Sequence, residues 1–311
     1  MDTVAVVLDQ PGELALRTVK LIAPETDDIV VDVEWTGISS GTERLLWSGH
    51  MPAFPGMGYP LVPGYETVGR VSRGASGFAV GDVVFVPGAN CYDGVKGLFG
   101  GAAARLVVPA KRAVPLRNIE AESGILMALA ATAYHAVSAE NANLPALIVG
   151  HGILGRLIAR MTLALGGEAP TVWDTNPQRR SGAVGYQVMA PEDDSRRDYP
   201  AICDASGAPA VLDTLIARLA RHGEVTLAGF YEQPLSFTFP PAFMREARIR
   251  IAAEFSRSDI EAVIELVAHG RLRLDGLITD RATASAAPQA YRTAFTDSSC
   301  IKMVLDWRAF S

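Results

Sequence analysis

The chain is predicted to be a two-domain α/β protein, in which a barrel-like antiparallel β domain joins a doubly wound parallel sheet. One change of texture and one closing segment predict it. Up to about residue 118 the sequence reads as short strands broken by Gly and Pro; from 119 onward, short apolar strands alternate with helical segments. The chain then closes on one more strand, CIKMVLDW (300–307), and because a last strand must pair with some sheet, the tail is expected to return to the first domain. The expected division is 1–118 plus 256–311 for one domain and 119–255 for the other.

In the first part, DIVVDVEWTGI (28–38) alternates apolar and polar residues as a half-buried strand does, and ETVGRVSRG (66–74) and GDVVFVPG (81–88) are further strands with glycine turns. ESGILMALAATAYHAVSAE (122–140) has the spacing of a buried helix. ALIVG (146–150), GILGRLIARMTLALGG (152–167) and TVWD (171–174) read strand, helix, strand. AICDAS (201–206), a helix over 209–223 and the strand EVTLAGF (224–230) continue the alternation that a parallel sheet requires. RIRIAAEF (248–255) precedes a helix at 259–270.

Composition excludes several classes. The 311 residues are 49% hydrophobic and 20% charged, the profile of a globular protein. A net charge of -6 without acidic blocks makes nucleic acid a poor partner. MDTVAVVLDQPGE lacks the basic start of a signal peptide, and the most apolar region, 146–167, contains Arg156 and Arg160, so no transmembrane segment is expected and a cytoplasmic location is. Cys91, Cys203 and Cys300 lie far apart, as do the five histidines; neither a disulfide frame nor a four-cysteine zinc lobe is available.

Gly150, Gly152 and Gly155 form GHGILG, which fits GxGxxG and, as that fingerprint requires, follows a strand and opens a helix. The first glycine makes the tight turn, the second lets the backbone approach a pyrophosphate, and the third lets helix and strand pack closely. Ile153 and Leu154 lie in the helix's first turn, where N–H donors and the positive dipole end meet an anion. Asp174 ends the next strand, where an acid binds both hydroxyls of the adenosine ribose. Its charge repels a 2′-phosphate and favours NAD over NADP, a preference that Arg179 and Arg180 would soften.

YPLVPGYETVGRVSRGASGFAVGDVVFV (59–86), ATAYHA (131–136), the glycine loop, DASGAP (204–209) and GLITDRATASAAPQAYR (276–292) occur in the order found in the medium-chain dehydrogenase/reductase family, the alcohol-dehydrogenase superfamily, which the chain resembles over nearly its whole length. The resemblance implies a GroES-like β-barrel catalytic domain and a Rossmann cofactor domain. Zinc-type members carry "GICGTD" and "PGHE". Here GISSGTE places Ser40 at the cysteine, with one extra residue in the turn, and PGYE places Tyr65 at the histidine. The structural-zinc lobe is replaced by NCYDGVKGLFGG (90–101), with one cysteine. Hydroxyls are poor zinc ligands beside thiolate and imidazole, so an enzyme working without zinc is expected.

The resemblance places Thr42 where the family keeps a proton-relay hydroxyl, expected to bond the substrate oxygen, with Ser40 and Tyr65 holding that oxygen or a bridging water. A neutral Tyr is a weak base, so orientation is its expected part. Glu43 and Glu66 match supporting acids of the family and Lys302 a basic partner of Glu66; a buried ion-pair network is the plainer role for all three. His135 is expected to be a packed helix residue, and His151, inside the cofactor turn, to shield the pyrophosphate rather than to accept a proton.

Within the family, GISSGTERLLWSGHMPAFPGMGYPLVPGYETVGRV resembles members that oxidise a 1-hydroxyethyl group on a tetrapyrrole ring to acetyl, with NAD as hydride acceptor. The loop GHMPAFPGMGYPL (49–61) suits such a substrate: Met51, Phe54, Met57 and Tyr59 make an adaptable apolar wall, and His50 lies within reach of a ring metal. The same residues also suit a loop that merely covers the barrel. Two rival readings stay open here, a zinc-free quinone or enone reductase using NADPH and a catalytically silent pigment- or dinucleotide-binding protein. By analogy a homodimer or homotetramer is expected, with RIRIAAEF near the pairing edge.

Overall fold

The strand Asp28–Ile38 organises the first unit, pairing antiparallel with Thr67–Arg73, Arg105–Pro109 and Met303–Asp306. The computed structural model describes residues 1–53, 55–138 and 143–310, and the chain divides into Met1–Ala128 with Leu274–Ser311, and Leu129–Arg273. The alternation in the strand's sequence sets its faces. Ile29, Val31 and Val33 point into the core with Val6, Leu106 and Leu305, while Asp32 and Glu34 meet Arg105 and Arg70 on the neighbouring strands. Such part-exposed ion pairs add little stability but agree with the register.

The tail returns as expected. Met303 pairs with Ile38 and Asp306 with Trp35, and the Trp307 indole N–H donates to the Thr36 hydroxyl at 2.8 Å inside the core. A second sheet of five strands is built on Asp2–Gln10, which lies between Glu13–Leu21 and Leu61–Val62.

In the second unit six strands pair in parallel, in the order Gln187–Met189, Thr171–Trp173, Leu147–Val149, Tyr199–Asp204, Leu219–Leu227, Arg248–Ile251. Numbered along the chain this is 3-2-1-4-5-6, the doubly wound order, whose reversal beside the first strand leaves a crevice at the strands' C-terminal ends. Leu147, Val149, Ile202 and Val225 form its core against Leu215 and Ile216 of the helix Leu212–Arg218.

Two expectations are corrected. The helix predicted over 209–223 stops at Arg218, and Leu219 begins a strand that runs to Leu227. Leu219 pairs with Tyr199, and His222 adopts a left-handed φ of 63°, which a helix cannot contain. The expected domain boundaries at 118/119 and 255/256 differ from the observed division, which falls after Ala128 and after Arg273. The helix Arg257–Ala268 belongs to the second unit because Asp259 ties it there: the carboxylate caps its own helix through Ser256 and meets His135 Nδ1, on the helix Met127–Val137, at 3.0 Å.

Among the described residues no helix is long and apolar enough to cross a membrane. Ser256 and Asp259 form a capping box in which each side chain takes the other's backbone N–H. Ser256→Ala should therefore lower the stability of the second unit by about 1 kcal/mol, read as a shift in its urea midpoint with an unchanged slope.

Candidate active site

The hydroxyl-rich turn opens the helix Thr42–Ser48, whose N-cap is Gly41. A glycine caps without a side-chain acceptor, so the turn's donors are met from within it: Glu43 Oε1 accepts the Ser39 backbone N–H at 3.2 Å. Glu43 is fully buried. Burial raises its carboxyl from the ordinary 4.5 to about 8, and the Glu66 charge adds to this; Tyr291, Lys302 and the Ser39 N–H only partly offset it.

Glu66 and Lys302 are also inaccessible, and they pair directly; Lys302 Nζ further donates to the Ile38 carbonyl at 3.0 Å. Gly37 makes the space. A Cβ there would lie 2.9 Å from Lys302 Cε and overlap the Glu66 carboxylate. Three atoms in this cluster, Glu43 Oε2, Glu66 Oε1 and the Tyr291 hydroxyl, have no hydrogen-bond partner of normal geometry, although Tyr291 lies near enough to pull the Glu43 carboxyl down.

The half-buried Tyr65 donates its hydroxyl to Ser39 Oγ at 2.8 Å and stands edge-on to Phe99, ring centres 5.2 Å apart. Burial, then the Glu66 charge, pushes the phenol well above its usual range, while hydrogen bonding with Ser39 and Thr42 pulls it back. Tyr65 is thus a neutral phenol at physiological pH, and Thr42, Tyr65 and Ser39 are brought together. Ser40 is half-buried beside them, but the serine bonded to Tyr65 is Ser39. Sequence reasoning missed Ser39 because the extra residue in GISSGTE lets either serine align with the lost cysteine. It missed Tyr291 because only the returning tail brings that ring to Glu43.

The apolar loop is placed differently from an open wall. Met51 is buried among Leu8, Leu45, Leu46, Leu61 and Leu98 and is a core residue, a correction that follows from its packing on the helix Thr42–Ser48. Met57 and Tyr59 are partly buried against the same cluster, and the Tyr59 hydroxyl donates to the Leu46 carbonyl. His50 is exposed; Phe54 lies outside the described residues.

In the second unit the glycine loop has the geometry its sequence requires. Gly150 has φ +93° and follows Leu147–Val149; Gly152 caps the helix Ile153–Ala164; a Cβ on Gly155 would overlap the Gly150 carbonyl. A Cβ on Gly152 would meet nothing within 4 Å, so the loop is open on the side where a pyrophosphate approaches. Ile153 and Leu154, half-buried, form the first turn. The Asp174 carboxylate accepts the His151 N–H through Oδ2 and the Asn176 N–H through Oδ1, each at 2.8 Å. A carboxylate has about four acceptor positions, so two remain for ribose hydroxyls. These residues fit a dinucleotide.

A catalytic zinc ion fits poorly. The donors at the turn are hydroxyls, the phenol among them is held neutral, and among the described residues no group of three or more His, Cys, Asp or Glu is arranged to hold a metal.

Residues 25–118 match the family model of the alcohol dehydrogenase GroES-like domain. Over 311 residues, 99% of each chain, the protein is 55% identical to the 2-desacetyl-2-hydroxyethyl bacteriochlorophyllide A dehydrogenase of Rhodobacter capsulatus. The chain belongs to the medium-chain dehydrogenase/reductase family. A relative of the same name from Cereibacter sphaeroides is 54% identical over 316 residues, again 99% of each chain. The 2R,3R-butanediol dehydrogenase of Bacillus subtilis superposes with a TM-score of 0.86 at 19% identity, covering 98% of this chain and 99% of its own, which agrees with the family fold. Like the family it belongs to, the protein is an oxidoreductase of alcohol-dehydrogenase type.

Glu43 gives this cluster a pH signature. A folded-state carboxyl raised from 4.5 to about 8 contributes stability that is fully present below 4.5 and lost as pH rises through about 8. Glu43→Gln cannot ionise, so the fall in melting temperature across that range should flatten in the variant.

Proposed function

We propose that the protein oxidises the 3-(1-hydroxyethyl) group of a bacteriochlorophyllide a precursor to 3-acetyl, giving bacteriochlorophyllide a, with NAD as hydride acceptor and without catalytic zinc. The observation that carries this is identity of 55% and 54% along essentially the full chain with two relatives bearing that activity in their names. The neutral hydroxyl cluster supports an alcohol as the reacting group, and Asp174 supports NAD. That acid also disfavours the reductase reading, which wants room for a 2′-phosphate.

The bound nicotinamide supplies a two-electron acceptor for the hydride on the carbinol carbon, while the hydroxyl proton leaves separately. Thr42 bonds the substrate hydroxyl and opens the proton's path; Ser39, Ser40 and Tyr65 hold the oxygen or a bridging water. Because its phenol is pushed up, Tyr65 orients by donating and does not take the proton. Glu43, Glu66 and Lys302 support the turn from behind. Gly150, Gly152, Ile153, Leu154 and Gly155 receive the pyrophosphate and Asp174 the ribose. Met57, Tyr59 and His50 are the apolar loop's remaining candidates for contact with the macrocycle.

A cytoplasmic homodimer, or a tetramer built from it, accords with the second unit's surface. Among the described residues Arg248–Ile251 has a single strand partner, Ile251 is 75% exposed, and Phe243 and Met244 of the helix Phe239–Arg245 are 64% and 71% exposed. Ile251→Lys should shift the dimer toward monomer in sedimentation.

The deciding assay incubates chelator-treated protein with NAD and the hydroxyethyl bacteriochlorin, following NADH formation and the red shift as an acetyl group conjugates with the ring. Turnover without added metal is the expected result. Thr42→Ala should then lower kcat by about 10²-fold or more, and Tyr65→Phe should lower it less. Absence of turnover even after zinc is supplied would overturn the assignment.

A further inference from the structure

Arg156 sits on the helix behind the glycine loop, where a solvent-facing or apolar residue would serve, yet its guanidinium is buried. Every hydrogen bond it makes goes to a backbone carbonyl: Nε to His151 at 3.0 Å, Nη1 to Gly182 at 3.2 Å, and Nη2 to Arg179 and Ser181 at 3.1 and 2.8 Å. Three of the four acceptors lie on the segment that follows Asp174. Gly182 allows this approach. Its φ is +78°, and a Cβ there would stand 2.6 Å from Nη1.

His151 reinforces the same tie. Its Nδ1 meets the Arg179 carbonyl at 2.5 Å and its Nε2 the Tyr186 hydroxyl at 2.8 Å. A carbonyl only accepts, so Nδ1 carries a proton. Burial lowers the ring's pKa to about 4, which leaves Nε2 unprotonated to accept from the Tyr186 hydroxyl.

The clamped segment holds the groups that face an adenosine ribose. Asp174 is pinned through the N–H groups of His151 and Asn176, and Arg180 is folded back, Nε on the Asp174 carbonyl at 2.8 Å and Nη2 on the Thr175 carbonyl at 3.2 Å. An arginine pointing into the ribose site would welcome a 2′-phosphate. This one is spent on the backbone instead.

We infer that Arg156 is a positioning residue for cofactor choice: by gathering the carbonyls of residues 151, 179, 181 and 182 it holds Asp174 at the ribose and keeps Arg180 turned away, and so sets the preference for NAD over NADP. The inference rests on the NAD reading above. Its physical basis is the planar fork of guanidinium donors, which reaches several carbonyls at once; an ammonium presents its donors from one point and cannot span them.

The test compares dissociation constants for NADH and NADPH, by nucleotide fluorescence, in the wild type, Arg156→Lys and Gly182→Ala. The lysine variant keeps the charge and loses the fork. The alanine variant disturbs the same contact from an exposed loop, so it reads the clamp even where the core substitution impairs folding, which melting curves report. Each variant should bind NADH more weakly and NADPH no more weakly than the wild type, lowering the preference by about tenfold, or 1.4 kcal/mol. An equal loss for both nucleotides marks a merely structural role and overturns the clamp, as does an unchanged preference. A wild type that prefers NADPH overturns the NAD reading and the clamp together.

Discussion

Lys302 reaches Glu66 across 236 positions of sequence, and the first unit is arranged around that meeting. Both side chains are inaccessible to solvent, so each would be costly to bury alone; together they are tolerable because Lys302 also donates to Ile38 and because Gly37 leaves room for them. Burial raises the Glu43 and Glu66 carboxyls and the Tyr65 phenol. Lys302 works against that rise at both acids, while the charge of Glu66 adds to it at Glu43 and Tyr65. The strand Met303–Asp306 delivers that cation, so the tail's return to the sheet is a condition of the site.

The second unit solves its positioning problem with the opposite chemistry. Among the described residues Arg156 donates to four backbone carbonyls and to no carboxylate, although the Asp174 charge acts on it through space, and the guanidinium orders a loop. In the first unit a cation tunes protonation; in the second a cation holds backbone in place. The two tasks match two different needs, a hydroxyl array that must stay neutral and a ribose site whose acid must stay where it is.

Much of the fold was legible along the chain. The limits read for the strands at 28–38, 66–74 and 81–88 fall within a few residues of those observed, because each is bounded by Gly, Pro or a clear break in alternation. The helix read over 209–223 failed at its end: RLARHG continues an apolar spacing, and nothing local shows that Leu219 must pair with Tyr199. Met51 failed for a related reason. Alternation of Met, Phe and Tyr with Pro and Gly describes a binding wall and a covering loop equally well, and packing on the helix Thr42–Ser48 decides for Met51.

The sequence by itself determined the family, the glycine loop with its acid at Asp174, and the exchange of thiol and imidazole for hydroxyls, because each is written in residue types at short spacing. Only the tertiary structure decided that Ser39 and not its neighbour bonds Tyr65, that Tyr291 faces Glu43, and that Arg156 grips the loop beyond Asp174. Those contacts depend on distances through space between residues far apart in the chain, and on burial that raises or lowers a proton's affinity. Neither quantity is carried by a residue's identity until the chain has closed around it.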